Sequence, residues 1–325
     1  MPGVTLPDGW TIRPPTLDDV PALLKVTHAS DIAAIGYPDF PEYELLEVLQ
    51  APHVDLERDQ AVAVDADGAV VAWAYLDNPN RAQREFIEVY VHPELGVPAR
   101  AVLLRRQLDR VAEEAAELGL DRMSVRAGAV PTETGWAGDL RAAGFGFVKR
   151  YARMSRPLAG VSTTPPTPPT GIVVRLVDPS SDDDMRAFHR VLDTAFRDTP
   201  DYDPMTYEHW RERIAALQSV AYDEWFVATV DGVPAGVLQS SDQGTDDDEG
   251  WVRYLAVLRE HRKRGIGAAL LGHAFAVYAG KGRKQAGLGV DLSNPTEAAR
   301  LYLSVGMTAS YEADIFERTV EAAGR

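Results

Sequence analysis

The chain has 325 residues, of which 45% are hydrophobic and 25% charged, proportions typical of a globular protein. Its formal net charge of −16 repels the phosphates of nucleic acids, so no nucleic-acid partner is expected. Cysteine is absent, which excludes disulfides, thiolate metal sites and a cysteine nucleophile.

No segment reaches the roughly 20 apolar residues that a membrane-spanning helix needs, so no membrane partner is expected. The first residues lack the basic and then apolar run of a secretory signal peptide. The seven histidines are scattered without ligand spacing, and no metal site is expected. Together these features predict a cytoplasmic protein.

The first half of the chain reads as strands and helices in a fixed order. A strand at Trp10–Arg13 precedes an amphipathic helix that the acidic residues of Leu17–Asp19 cap. Ala61–Tyr75 reads as a hairpin that turns at Asp67-Gly68, because this dipeptide favours hairpin turns. Phe86–Val91 predicts a further strand.

The second half repeats this order. Residues 157–170 are rich in Pro and Thr without hydrophobic periodicity, which predicts a semi-rigid linker between domains at 1–156 and 171–325. After it come a strand at Ile172–Arg175, an acid-capped helix from Asp182, and a hairpin at Trp225–Leu238. The chain therefore contains one whole domain twice.

The most informative segment of the second half is a basic glycine turn. Trp251–Val257 predicts a strand, and Ala268–Tyr278 predicts a helix with apolar residues at three- and four-residue spacing. Between them lies Arg262–Gly267. The N–H groups at a helix start have no intrahelical partner, and glycine lets a phosphate approach them closely. The pattern indicates a pyrophosphate site.

Two other glycine loops fit this segment poorly. The dinucleotide fingerprint needs three glycines, and the nucleotide-triphosphate loop ends in Gly-Lys-Ser/Thr, whereas Ala268 follows Gly267. The pattern Arg/Gln-x-x-Gly-x-Gly after a Leu-Ala-Val strand resembles the acetyl-CoA loop of the GNAT superfamily of N-acetyltransferases. A basic surface turn that caps a helix is the alternative interpretation.

A second motif follows at the spacing of the same family. Ala286–Leu292 reads as a strand, and Asn294 opens a helix that ends at Gly306. The string from Asn294 through Ala298 and Tyr302 to Gly306-Met307 resembles the GNAT ending Asn-x-x-Ala…Leu-Tyr-x-x-x-Gly-Phe, with Met307 in place of Phe. The resemblance covers about the last 150 residues.

This resemblance implies an α+β (mixed α/β) fold of two GNAT-like domains, each a mostly antiparallel mixed sheet flanked by helices. It implies acetyl-CoA as cosubstrate, no metal, and direct attack of a primary amine on the thioester. A backbone amide among the strand residues before the loop would stabilise the oxyanion. The implied cofactor-binding residues are Leu255, Ala256, Val257, Arg262, Lys263, Arg264, Gly265, Ile266, Gly267, Ala268 and Asn294.

Two residues are predicted to be catalytic. Tyr302 matches the family's general acid, and a phenol with an ordinary pKa of about 10 is protonated at neutral pH. Core packing is its alternative role. Glu249 is the candidate general base at the start of the strand, with Asp248 as the second candidate. Both end an acidic run, and such runs are often solvated loops.

The first copy is predicted to have lost its site. Leu140 stands where the second copy has Tyr302, and Pro98 has no N–H to donate. The first copy therefore supports the fold, with residual CoA binding without turnover as the alternative. Aligning Val91 with Val257 opposes Gly96 to Arg262, Pro98 to Arg264, Ala99 to Gly265, and Ala101 to Gly267.

The expected acceptor is a small-molecule amine, with a pocket that draws on Phe196–Asp203. The order of a degenerate first copy and an intact second copy also resembles the mycothiol synthases, which acetylate the cysteinyl amine of a pseudodisaccharide. A non-catalytic acyl-CoA-binding protein is the third interpretation. The sequence leaves the oligomeric state open.

Overall fold

The computed structural model describes residues 5–78, 83–197, 199, 202, 204–215, 220–241, 248–292 and 298–324. Close contacts divide the chain into two units, Met1–Arg150 with Glu312–Arg325, and Tyr151–Tyr311. No helix in these described ranges is both long and apolar enough to cross a membrane.

The first unit is a six-stranded sheet flanked by helices. Its strands are β1 (Thr11–Arg13), β2 (Gln60–Val64), β3 (Val70–Asp77), β4 (Arg84–Val91), β5 (Arg122–Ala129) and the last strand of the chain, β12 (Thr308–Glu321). They lie in the order β1-β2-β3-β4-β5-β12, and only β4 and β5 run parallel. Its helices are α1 (Val20–Ile35), α2 (Glu42–Gln50), α3 (Leu56–Asp59), α4 (Val97–Glu117) and α5 (Thr134–Ala142).

The second unit has the same plan. Its strands are β6 (Gly146–Pro157), β7 (Ile172–Leu176), β8 (Phe226–Val230), β9 (Val233–Ser241), β10 (Glu249–Val257) and β11 (Gln285–Asp291). They lie in the order β6-β11-β10-β9-β8-β7, with only β10 and β11 parallel. Its helices are α6 (Asp182–Phe196), α7 (Tyr207–Ala215), α8 (Ile266–Gly280) and α9 (Ala298–Ser304).

Each sheet is covered on both faces. In the first unit Leu23 of α1 packs with Trp73 on one face, and Leu103 of α4 packs with Ala72 on the other. In the second unit Phe188 of α6 covers one face and Leu270 of α8 the other. The predicted fold, two mostly antiparallel mixed sheets flanked by helices, is confirmed.

The strand that completes each sheet comes from the other part of the sequence. Residues Asp314–Glu321 of β12 pair with β5 in the first unit, and Tyr151–Pro157 of β6 pair with β11 in the second. The spatial units therefore differ from the sequence ranges 1–156 and 171–325 in these terminal strands. Pairing between distant strands leaves no local pattern in a sequence.

The residues predicted as a linker lie along α8. The Leu158 N–H donates to the carbonyl oxygen of Lys284 at 2.8 Å. A Cβ atom added at Gly272 would lie 2.5 Å from Pro166 Cγ, and one at Gly265 would lie 2.9 Å from Pro169 Cγ. Pro166 and Pro169 thus pack directly on Gly272 of α8 and on Gly265 just before it, so this segment is ordered and lies against α8.

Candidate functional site

The turn between β10 and α8 exposes a row of main-chain donors. Lys263 (φ 61°) and Gly265 (φ 86°) are left-handed, and α8 begins at Ile266. The first bond of the helix is donated by Ala269 to the Gly265 carbonyl at 3.0 Å. Among the described residues, no group accepts from the N–H groups of residues 263–268. Such a concave row at a helix N-terminus is suited to an anion.

Arg262, the first residue of the turn, donates hydrogen bonds to main-chain carbonyl oxygens. Arg262 Nε donates to the Val257 oxygen at 3.1 Å, and Nη2 donates to the Ala195 oxygen at 3.3 Å. Its side chain therefore ties the end of β10 to the end of α6, a contact that motif spacing does not reveal. Lys263 and Arg264 are exposed beside the free N–H groups. These two residues are the exposed cations of the turn.

Strand β10 is bulged and separates from its parallel neighbour. Its register against β9 shifts between Val252 and Tyr254, and its pairing with β11 is confined to residues Glu249–Trp251. After the bulge Ala256 faces the α6 core, whereas Leu255 and Val257 pack towards α8. The main chain of 255–257 therefore lies along a gap between two strands.

Tyr302 lies in the core under the same turn. A Cβ atom at Gly267 would lie 2.7 Å from Leu301 Cδ2, so the absent side chain lets α9 pack against the start of α8. Tyr302 is 8% exposed, and its hydroxyl makes no hydrogen bond to any described residue. Burial raises the pKa of Tyr302 to about 12, which keeps the phenol protonated at neutral pH.

Glu249 is more enclosed than the sequence suggested. Its side chain is fully buried, and Arg153 Nη2 donates to Oε2 at 2.6 Å. The same guanidinium lies over the Trp251 ring at 4.7 Å. Asp248 is paired instead with Lys284 at 2.5 Å. Arg153 was absent from the predicted site, because it reaches Glu249 from β6.

An aromatic wall borders the bulged strand on the α6 side. Phe196 lies 5.7 Å from both Tyr254 and Tyr202 between ring centroids. The Tyr202 hydroxyl donates to Asp193 at 3.1 Å, and burial beside that carboxylate raises the pKa of Tyr202. Tyr254 and Asp193 were not predicted, although each lies on a predicted element.

Some predicted site residues lie outside the described part of the chain. Asn294 is one, and in the expected acceptor segment 196–203 the structure describes only residues 196, 197, 199 and 202. Within the described ranges, no group of three or more His, Cys, Asp or Glu residues could hold a metal ion.

The first unit has a different turn at the corresponding place. Residues 97–99, opposite 263–265, form the first turn of α4, and Pro98 has no N–H. The Gly96 N–H donates to the His92 carbonyl oxygen at 2.8 Å. A Cβ atom at Gly96 would lie 2.0 Å from the Val71 main-chain oxygen, so glycine is needed here for the close packing of two main-chain segments. Strand β4 pairs with β3 without a bulge.

Comparison with known proteins identifies similar chains. Residues 185–307 match the acetyltransferase (GNAT) family. A mycothiol acetyltransferase of Thermobispora bispora is 35% identical over 190 residues, which cover 53% of this chain and 61% of that protein. A mycothiol acetyltransferase of Catenulispora acidiphila is 30% identical over 229 residues, which cover 66% of this chain and 67% of that protein. The chain thus spans about three fifths to two thirds of the length of these relatives.

Solved structures show the same fold. A GCN5-related N-acetyltransferase from Sphaerobacter thermophilus has a TM-score of 0.84 and 25% identity, with 98% of each chain covered. A tandem GNAT protein from the clavulanic acid biosynthesis pathway has a TM-score of 0.66 and 16% identity, with 97% of this chain and 100% of that chain covered. The predicted tandem arrangement of two such domains is confirmed.

Proposed function

Because the chain belongs to the GNAT acetyltransferase family, we propose that its second unit transfers acetyl from acetyl-CoA directly to a primary amine of a small molecule. The observation that carries the proposal is the row of free N–H groups at residues 263–268. These donors suit the pyrophosphate of CoA, and the exposed Lys263 and Arg264 add positive charge there. Arg262 contributes by holding the turn in place.

The gap between β10 and β11 is the proposed place of the thioester. As the amine nitrogen forms its bond to the acetyl carbon, the carbonyl oxygen becomes negative and needs a donor. Main-chain N–H groups within Leu255–Val257 supply it in this proposal. The bulge supports this role, since it changes which residues of β10 pair with β9 and which groups face the gap.

Tyr302 is the proposed general acid. When the C–S bond breaks, the CoA sulfur becomes a thiolate that needs a proton. The Tyr302 hydroxyl is protonated at neutral pH and has no described protein partner, so it is free to donate to that sulfur. The proton released by the amine balances the one taken by the thiolate.

Glu249 remains the proposed base for the amine. Its carboxylate is fully buried beside Arg153, so the proton reaches it through an ordered water or another side chain. The acceptor itself is proposed to lie against Phe196, Tyr202 and Tyr254. All three rings present apolar faces, and the two tyrosines add hydroxyl groups, which suits a small molecule that carries an amine.

A second candidate acceptor is the cysteinyl amine of the mycothiol precursor. The names of the two curated relatives favour it, at 35% and 30% identity. The reaction class is the same in both proposals, and only the acceptor differs.

Release of CoA thiol from acetyl-CoA, measured across a panel of amines that includes the mycothiol precursor, tests both candidates. Turnover with a simple amine alone supports the first, and turnover restricted to the precursor supports the second. Acetyl-CoA binding without turnover on any amine would contradict both and leave a non-catalytic acyl-CoA-binding protein.

A further inference from the structure

The bulge in β10 inserts one arginine into the strand. Val252 pairs with Ser240 and Tyr254 pairs with Gln239, so Arg253 between them has no partner residue on β9. An extra residue of this kind changes the direction of the side chains around it, and such bulges are common beside active sites. Val252 is buried, whereas Arg253 is exposed. The bulge thus adds one accessible cation to the strand that borders the proposed place of the thioester.

Arg253 lies on the α6 face of the sheet. A Cβ atom added at Gly250 would meet the Tyr278 ring, so Gly250 faces α8. Alternation along the strand then turns Trp251 and Arg253 to the opposite face. Because Arg253 is the extra residue, Tyr254 also lies on that face, packed against the core under α6. The Arg253 guanidinium is 5.6 Å from the centre of the Tyr254 ring, so it borders the aromatic wall proposed for the acceptor.

No carboxylate of the described residues neutralises Arg253. Its guanidinium makes no ion pair or hydrogen bond with any of them. Neighbouring arginines differ in this respect. Arg153 is paired with Glu249, and Arg197, just after α6, is paired with Asp193. Arg253 therefore has its donors available for an anion, and a carboxylate fits a guanidinium through two parallel hydrogen bonds.

Two further polar groups beside Arg253 lack partners among the described residues. The Tyr254 hydroxyl makes no hydrogen bond to any of them, whereas the Tyr202 hydroxyl donates to Asp193. Gln239, opposite Tyr254 on β9, is only 2% exposed, and its side-chain oxygen has no donor in the described part of the chain. A buried amide oxygen without a donor is unfavourable, and such groups need an explanation. The surroundings of Arg253 are thus polar and incompletely paired, as in a ligand site.

Space for a ligand lies level with Arg253 across the gap between β10 and β11. These strands run parallel and Trp251 pairs with Gly287, so Gly289, two residues further, is level with Arg253. A Cβ atom at Gly287 would face Trp251, and Gly289 points to the same face. Gly289 is exposed, and no described atom beyond its chain neighbours lies within 4 Å of an added Cβ atom. The described residues therefore leave the α6 face open at this level of the gap.

We propose that Arg253 determines the acceptor class: the primary amine also carries a carboxylate, as an amino acid does, and Arg253 binds that carboxylate on the α6 face. This inference rests on the proposed transfer of acetyl to a small-molecule amine. Residues 253 and 255 of a strand are about 7 Å apart. A carboxylate at Arg253 therefore places an amine a few bonds away beside the proposed oxyanion donors of 255–257. The Tyr254 hydroxyl can donate to the same carboxylate.

The first unit has no counterpart of Arg253. Strand β4 pairs with β3 through every residue from Phe86 to Val91, so no extra residue is inserted there. The bulge and its arginine are confined to the unit that contains the proposed pyrophosphate site and Tyr302. This distribution agrees with a role in acetyl transfer rather than in the fold that both units share.

Matched pairs of acceptors test the proposal. Each amino acid is compared with the amine that lacks only its carboxylate: L-phenylalanine with 2-phenylethylamine, and 4-aminobutyrate with propylamine. Release of CoA thiol from acetyl-CoA gives kcat/KM for each compound. After correction for the fraction of free amine, the wild type should prefer the carboxylate member of at least one pair by tenfold or more.

Variants of Arg253 assign this preference to one side chain. Arg253→Gln should lower kcat/KM for the carboxylate compound at least tenfold more than for its paired amine, mainly through KM. Comparing each compound with itself in the two proteins cancels the different basicities of the amines. Arg253→Lys should recover part of the preference, because it restores the charge. Arg190→Gln, which removes an exposed arginine of α6, is the control and should change neither value.

Calorimetry of the same compounds, with the chain saturated by CoA, adds a readout that does not require turnover. If no compound is acetylated but the carboxylate compound binds wild type more tightly than Arg253→Gln, the carboxylate site stands and the proposed acetyl transfer fails. Equal losses for both members of each pair would overturn the role of Arg253. So would a wild type without preference for carboxylates in either assay, and both results would leave acetyl transfer to amines in place.

Discussion

Gly267 and Leu301 pack so closely that a Cβ atom at Gly267 would lie 2.7 Å from Leu301 Cδ2. This contact joins the donor row at the start of α8 to the helix that carries Tyr302. Because Gly267 has no side chain, α9 packs directly against the start of α8, and this contact sets the position of the proposed acid relative to the proposed pyrophosphate site. A glycine that reads as a phosphate contact in the sequence also sets the spacing of two helices.

Gly267→Ala should lower turnover at least tenfold while changing the melting temperature only slightly. The added methyl group pushes Leu301 away, and Tyr302 on the same short helix moves with it. Steady-state kinetics and thermal unfolding check this expectation. Gly280→Ala, at the other end of α8, is the control, because its nearest contact is Thr163 Cβ at 4.0 Å. Equal effects of the two changes would contradict the proposed role of the contact.

Tyr302→Phe should lower turnover by about 10²-fold or more and leave acetyl-CoA affinity nearly unchanged. Only the hydroxyl is removed, so the packing of the ring remains. Tyr278→Phe provides the comparison, because that buried hydroxyl is bonded to Ser240 at 2.5 Å. This second change should cost about 1 kcal/mol of stability and leave turnover within a few-fold. Turnover of Tyr302→Phe within a few-fold of wild type would assign Tyr302 a packing role.

The chain should bind one acetyl-CoA, in the second unit. No described residue accepts from the donor row of residues 263–268, whereas the Gly96 N–H of the first unit's turn donates within that turn, which also contains Pro98. Calorimetry should give one site, and two equal sites would refute the prediction. Gly265→Pro should abolish binding, because proline fixes φ near −65° where the turn has 86°, and it removes one N–H.

Glu249→Gln should depress turnover most at low pH. If Glu249 accepts the proton of the amine, the variant depends on amine that has already lost its proton in solution, so its rate should recover as the pH rises. A pH–rate profile of both proteins checks this. A loss that is equal at every pH would mean that Glu249 positions Arg153 through their 2.6 Å ion pair. Ping-pong kinetics would contradict direct transfer in either case.

Local features of the sequence were sufficient to predict the hairpins, the elements around the glycine turn and the donor row. Asp231 and Gly232 both take positive φ in a tight hairpin, as the dipeptide predicted. The free N–H groups of 263–268 follow from a glycine turn before a helix, which needs only neighbouring residues. The order of strands and helices in the two copies was predictable for the same reason.

Contacts between distant parts of the chain were decided by the tertiary structure alone. Arg262 donates to the Val257 and Ala195 carbonyl oxygens, and Arg153 of β6 forms an ion pair with Glu249 of β10. The exchange of the terminal strands belongs to the same class. A side chain's partner and its pKa depend on what packs around it, and a linear pattern contains no record of that packing.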